Sequence, residues 1–152
     1  MRAPFRMSLA PRAVILAACF ISLVSFSVLV ASAAQEVDVE QEKLQGKWNV
    51  ESFEFNGSDV EAMKDAVREF KDHRYTLTPT SSDVISGTIK LDSMKTPKEI
   101  DLEVNGRTLK GIYELDGDTL KLCYALEGDQ RPKELASEPN SGVVLVVHKK
   151  AK

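Results

Sequence analysis

Apolar and polar residues alternate along much of the chain after residue 45, and this alternation predicts β-strands. The strands expected from it span residues 46–55, 73–78, 84–91, 98–104, 108–115, 119–125 and 143–148. Alternation places every second side chain on one face of a strand, so that one face can be buried and the other solvated. Short strands separated by turn residues at near-regular spacing are typical of an antiparallel barrel or sandwich.

The first strand changes the face on which its apolar residues lie. Trp48 and Val50 share one face with Ser52, whereas Phe53 and Phe55 fall on the other. An extra residue in a strand shifts the alternation and bends the strand. The pattern therefore predicts a β-bulge near Ser52, at a point where a strand can close a barrel.

One helix is predicted after the first strand. Ser58 and Glu61 have the spacing of a capping box, in which the serine is the N-cap. Helical spacing brings four apolar residues onto one side, namely Val60, Met63, Val67 and Phe70. The solvated side then holds Lys64, Asp65, Arg68 and Glu69. We expect this helix to pack on the sheet or to close one end of a barrel.

Two turn signals, Asn105-Gly106 and Asp116-Gly117, predict a three-stranded meander in the middle of the chain. With each dipeptide at the centre of its turn, the facing pairs include Leu102–Leu109, Ile100–Gly111 and Tyr113–Leu120. All of these pairs fall on one face, which a slip of one residue would reverse. If the interior is filled, an aromatic ring is expected to lie across Gly111.

The first 33 residues have the pattern of a secretory signal peptide. A basic start with three arginines precedes an apolar run over residues 13–30, and Ala31-Ser32-Ala33 follows as a cleavage site. Residues 34–43 are polar and predict a short tether, and residues 44–150 form the predicted barrel domain. The protein is therefore expected to be exported to the periplasm, the cell envelope or the extracellular space.

An uncleaved membrane anchor is the alternative for this segment, because its apolar run approaches the roughly 20 residues of a membrane span. A membrane is a partner only in that case. Leu16–Cys19 also has the form of a lipobox, but the apolar run continues beyond it.

Charge and cysteine content narrow the classes of partner. The chain has a formal net charge of −3, and loss of the three arginines of the signal makes the remainder more negative. A negative surface argues against nucleic acid and anionic membranes as partners. Removal of the signal also removes Cys19, so that Cys123 remains alone and no internal disulfide can form. We expect Cys123 to be buried beneath the helix.

Two stretches carry a resemblance to known families. Leu44-Gln45-Gly46-Lys47-Trp48 is similar to the G-x-W opening of lipocalin-like barrels. Residues 111–125, with Ile100-Asp101-Leu102, Arg131-Pro132 and the strand at 143–149, resemble an uncharacterised family of secreted planctomycete domains. This likeness covers about residues 42–150. It implies a small lipocalin-like, antiparallel up-and-down all-β barrel, with a basic residue of the last strand, here Lys149, packed over Trp48.

Four aromatic residues are the candidate ligand-binding residues because they are expected to face the interior. They are Trp48, Tyr75, Tyr113 and Tyr124. In a small barrel such residues either line a cavity for one small ligand or simply fill the core.

No motif for catalysis, metal binding or a cofactor is present in the sequence. His73 and His148 lack the spacing of metal ligands, and both are expected at the surface. The chain is therefore expected to be non-catalytic, with no metal and no cofactor. Two functions remain open: a domain that binds a small apolar ligand, or a structural domain with a filled barrel that binds an envelope protein.

The signal peptide gives the first testable prediction. The exported protein should begin at or near Ala34, because the small-residue site directly follows the apolar run. N-terminal sequencing of the exported protein measures this. An intact Met1 in the membrane fraction would show an anchor instead.

Overall fold

A computed structural model describes residues 39–127 and 129–152. The predicted signal peptide and residues 34–38 of the predicted tether lie outside the described residues. Helices of the described part are all too short or too polar to cross a membrane.

The described chain forms nine β-strands and little helix. The strands are β1 (Gly46–Phe55), β2 (Ser58–Asp59), β3 (Val67–Lys71), β4 (Arg74–Thr78), β5 (Ile85–Asp92), β6 (Lys98–Val104), β7 (Arg107–Asp116), β8 (Thr119–Ala125) and β9 (Val143–Lys150). A 3₁₀ helix, Glu61–Met63, lies between β2 and β3, and residues 39–44 are helical.

Eight of these strands form a closed antiparallel barrel. Neighbours in the sheet follow the order β1-β3-β4-β5-β6-β7-β8-β9, β9 also pairs with β1, and β2 pairs with the end of β1. This confirms the predicted fold class, a small all-β up-and-down barrel with one helix after the first strand. The inward side chains of all eight strands meet in one core.

The predicted bulge lies in β1, where that strand pairs with β9. Val50 faces His148 and Ser52 faces Val147, so Glu51 is the extra residue. Beyond it, Phe53 and Phe55 pack against the core that Trp48 and Val50 occupy before it. The bulge therefore turns both apolar halves of β1 inward, as the change of face indicates.

The predicted helix is confirmed only as one short turn, and its predicted extent is wrong. Ser58 lies in β2, the position before the turn is Val60, and no side chain caps it. Val67 and Phe70 belong to β3, which pairs with β1 on one side and β4 on the other. A short helix with a narrow apolar stripe is only marginally stable by itself, whereas β3 forms ladders on both edges, so tertiary pairing overrides the helical spacing.

The meander is confirmed in its first hairpin and corrected in its second. Leu102 faces Leu109, and Ile100 faces Gly111, as predicted. In the second hairpin Tyr113 faces Leu122, not Leu120. The turn is centred on Gly117-Asp118, with Gly117 at φ +54°, because a type II′ turn takes glycine first. This shift of two residues leaves the same side chains facing inward.

One end of the barrel is closed by the helical residues 39–44, the described end of the predicted tether. Leu44 is fully buried there, and its carbonyl accepts a hydrogen bond of 2.8 Å from Trp48 Nε1. Lys150 Nζ lies 4.8 Å from the centre of the Trp48 ring and donates to the Lys43 carbonyl. A basic residue of the last strand does pack over the tryptophan, but it is Lys150 and not Lys149.

The connection from β8 to β9 covers part of the outer face of the barrel, over β6, β7 and β8. Arg131 donates to the carbonyls of Ile100 and Gly111 and forms an ion pair of 2.7 Å with Asp101. Cys123 points outward, is fully buried, and contacts the Ala136 carbonyl. Cys123 is therefore buried as predicted, but beneath this connection and not beneath the helix.

Replacement of Gly111 by alanine should destabilise the barrel by about 1–3 kcal/mol, the usual range for overpacking. A Cβ atom at Gly111 would lie 2.6 Å from the Cys123 carbonyl oxygen and 2.8 Å from Tyr124 Cβ. The obstacle is thus the main chain and Cβ of the neighbouring strand, and not a ring that crosses the interior. The midpoint of urea unfolding measures the effect, with Thr108→Ala on the exposed face of the same strand as control. Equal midpoints for the two variants would contradict so close an approach of β7 and β8.

Candidate ligand-binding site

The four predicted aromatic residues all face the interior, but they belong to two regions of it. Trp48 and Tyr113 are 0% and 3% exposed and lie towards the closed end. Tyr75 and Tyr124 are 4% and 6% exposed, and the rings of both lie near a buried arginine, Arg68. The interior is therefore divided into a closed end and a polar centre.

At the closed end, Tyr113 takes part in a small network of charges. Its hydroxyl lies 3.4 Å from Glu40 Oε2, and Lys98 Nζ forms an ion pair of 2.9 Å with the same oxygen. Burial would raise the pKa of Glu40, but the hydrogen bond and charge of Lys98, helped by Lys43, lower it below its usual value. Burial and the neighbouring Glu40 raise the pKa of Tyr113. These groups satisfy one another and attach the helical residues 39–44 to the barrel.

The centre of the interior contains Arg68, on β3. The sequence pattern places Arg68 on the solvated side of a helix, and the structure contradicts this: its side chain is 1% exposed. Strand alternation explains the difference, because Ala66 and Phe70, two residues to either side, are also buried. Arg68 faces Trp48 across one ladder and Leu77 across the other.

The guanidinium of Arg68 lacks an acidic partner among the described residues. Its Nε and Nη1 atoms are buried there without any hydrogen bond. Its central carbon lies 5.7 Å from the ring centre of Tyr75 and 6.0 Å from that of Tyr124. Cation–π contacts at such distances offset only part of the cost of removing a charge from water. The centre of the barrel thus holds an uncompensated positive charge.

His148, on β9, is the second polar group of the centre. It is fully buried, so the prediction that it lies at the surface is wrong, while His73 is exposed as predicted. Burial and the charge of Arg68 hold the pKa of His148 well below its ordinary value of 6.5. The ring is therefore neutral at neutral pH.

The tautomer of His148 follows from its partner. Nδ1 lies 3.1 Å from the Leu120 carbonyl oxygen, which can only accept a hydrogen bond, so Nδ1 carries the proton. Nε2 is then a bare acceptor, and it is buried without a partner among the described residues. The interior therefore presents both an unpaired cationic donor and an unpaired neutral acceptor.

Four inward residues keep a small exposed fraction. Tyr75, Tyr124, Ile89 and Leu109 face inward and keep 4–7% of their surface exposed, whereas Leu44 and Trp48 keep none. Two of these four, Tyr75 and Tyr124, are the aromatic neighbours of Arg68.

Two shallow surface cavities lie outside the interior. One, of about 230 Å³, is lined by Gln41, Glu42, Gln45, Asp72 and His73. The other, of about 150 Å³, lies beside Arg131 and is acidic, but Arg131 already pairs with Asp101 and Glu99. In the described ranges no three metal-ligating side chains converge. Neither cavity has the unpaired groups of the interior.

Sequence reasoning missed both polar residues of the centre, although a signal for each exists. Val144, Val146 and His148 alternate along β9, which places His148 on the inner face. Ala66, Arg68 and Phe70 alternate in the same way along β3, but the helical spacing of residues 60–70 conceals it. Strand alternation, which places every second residue on the inner face, identifies both Arg68 and His148 as inward residues.

Fold and interior together define a closed eight-stranded antiparallel barrel with a buried cationic centre. Comparison of the chain with protein-family models, with curated proteins and with solved structures finds no match. The chemistry of the interior is therefore the feature from which a function can be inferred.

The neutral His148 gives a prediction for pH. Because its pKa is lowered in the folded state, the unfolded chain binds a proton first as pH falls below about 6.5. The free energy of unfolding should therefore decrease in that range by up to about 1.4 kcal/mol per pH unit, and this loss should end once pH falls below the folded pKa. Urea unfolding between pH 7 and 5 measures the slope.

His148→Asn, which retains a donor near the position of Nδ1, should reduce that slope. A slope that persists in His148→Asn would assign the pH dependence to another group.

Proposed function

We propose that this chain is an exported, non-catalytic barrel that binds a small, largely apolar molecule in its interior. The observation that supports the proposal is the pair of unpaired polar groups, Arg68 and His148, at the centre of an otherwise apolar interior. Interior binding sites of proteins are commonly apolar walls with a few polar groups that orient the ligand. The interior of this barrel has that composition.

The alternative is a structural or protein-binding domain of the envelope with a filled barrel. The tight closed end, where Leu44 and Trp48 are fully buried, favours it. A barrel selected only for stability, however, gains nothing from a buried charge without a partner, because an apolar side chain of similar size is as stable or more so. Arg68 therefore favours binding over filling.

Export is proposed from the sequence of residues 1–33, and membership of a lipocalin-like group is proposed from the barrel together with the contact of Lys150 on Trp48.

The absence of catalysis is proposed on chemical grounds. His148 is buried and neutral, and burial raises the pKa of Cys123, which points away from the interior. The lowered pKa makes His148 a weak base, and the raised pKa keeps Cys123 as a thiol, so neither shift favours base or nucleophilic catalysis.

Two measurements test interior binding. Native mass spectrometry of the protein purified from its source should show a retained small molecule. Titration with Nile red, a neutral apolar dye, should give saturable binding at one site, and it should quench Trp48, the single tryptophan of the chain.

Leu109→Phe should weaken dye binding, because Leu109 faces the interior and a larger ring fills space there. Thr108→Phe, on the exposed face next to it, is the matched control. Circular dichroism establishes that both variants fold. A folded protein with neither a retained molecule nor saturable dye binding would favour the filled structural barrel.

A further inference from the structure

We infer that Arg68 is an anion-binding site inside the barrel, and that the natural ligand is an amphiphilic monocarboxylate whose apolar tail lies against the aliphatic wall. This inference rests on the proposed function and specifies the chemical class of the ligand. Arg68 is not among the four predicted ligand-binding residues. The site therefore adds a positive charge to an interior that the sequence predicts to be apolar.

The negative charge that balances Arg68 must come from outside the described chain. The ion pairs of the described residues join Lys43 and Lys98 to Glu40, Lys121 to Glu114, and Arg131 to Glu99 and Asp101. None of these carboxylates reaches Arg68. A buried charge is stable in a protein when it is paired. Because no carboxylate of the described residues pairs with Arg68, a bound anion is the partner that remains.

The groups around Arg68 determine how many charges a ligand can bring into the interior. Arg68 supplies one positive charge. His148, whose pKa the charge of Arg68 helps to lower, is neutral, and its free Nε2 accepts a hydrogen bond and cannot donate one to an anion. The lysines near the interior are already engaged at the closed end: Lys98 pairs with Glu40, and Lys150 contacts Trp48 and the Lys43 carbonyl. A dianion such as a phosphate monoester would bring a second buried charge with no partner. The centre therefore matches a monoanion.

The guanidinium and the apolar wall next to it determine the shape of the ligand. A guanidinium has a planar set of donors that matches the two oxygens of a carboxylate, and the pairing is stronger than a neutral hydrogen bond. The ring centres of Tyr75 and Tyr124 lie 5.7 and 6.0 Å from the guanidinium carbon. Leu77 faces Arg68 across the β3–β4 ladder, and Ile89 and Leu109 belong to the same apolar core. A carboxylate at Arg68 with a short alkyl chain along this wall satisfies both surfaces.

The experiment compares four probes with eight carbon atoms each on the intact protein after removal of bound molecules. They are octanoate, octanol, octylamine and octyl phosphate, with binding followed by calorimetry and by Trp48 fluorescence. Octanoate should bind about 10-fold or more tightly than octanol, as a charge-assisted hydrogen bond predicts. Octylamine should bind more weakly than octanol, and octyl phosphate more weakly than octanoate.

Two variants separate the anion site from a structural role of Arg68. Arg68→Met should reduce octanoate affinity about 10-fold or more and leave octanol affinity unchanged. In the unliganded protein the same variant should unfold at an equal or higher urea concentration, because it removes an unpaired buried charge. Arg107→Met, at an exposed position on the barrel surface, is the control and should change neither affinity.

Each other outcome contradicts the inference in a distinct way. Equal binding of octanol and octanoate, or octanoate binding that survives Arg68→Met, would reject the anion site while leaving an apolar ligand in place. A lower urea midpoint for Arg68→Met with no octanoate binding by the unaltered protein would assign Arg68 to the core through its contacts with Tyr75 and Tyr124. If Nile red also fails to bind, the proposed function fails with it.

Discussion

The pairing of β1 with β9 is the interaction on which the rest of this structure depends, because it converts a sheet into a barrel. The pairing runs from Trp48 opposite Lys150 to Phe55 opposite Val144, and the bulge at Glu51 lies within it. The bulge keeps apolar residues on the inner face along the whole length of β1. Closure gives the protein an interior, and only a closed interior can isolate Arg68 from water.

That isolation gives the central residues their chemistry. On an open sheet Arg68 would be solvated and its charge would have little consequence. Inside the barrel the same charge contributes to the low pKa of His148 and lies against the rings of two tyrosines. The polar groups of the closed end differ, since Glu40, Lys98 and Tyr113 satisfy one another. The contrast between a satisfied end and an unsatisfied centre is what points to a ligand.

Much of the fold could be predicted from the sequence, because strand alternation and turn dipeptides are local signals. The bounds of β1, β6 and β8 and the bulge near Ser52 all follow from them. The second hairpin was harder, since Asp116-Gly117 fits two turn types that differ by two residues in register. Both types leave the same face inward, so the error did not alter the predicted core.

The candidate site was less accessible to sequence reasoning, and the reason is physical. The segment around Val67 and Phe70 satisfies helical spacing and strand alternation at once, and only the presence of β1 and β4 on either side decides between them. Arg68 changes from a solvated to a buried residue with that decision. The predicted aromatic residues were placed inward correctly, because large apolar rings indicate a core in either case.

The long-range pairing of β1 with β9 also has a consequence for assembly. The two strands lie far apart in the chain, while most other neighbours in the barrel are joined by short connections, the longer ones being those from β1 to β3 and from β8 to β9. Until β9 has paired with both of its neighbours, β1 and β8 each present an open edge that can pair with another chain. Contacts between distant segments slow folding, because the entropy of loop closure is lost before the pairing is gained. The chain is therefore most exposed to misassembly in the interval before β9 pairs and removes both open edges.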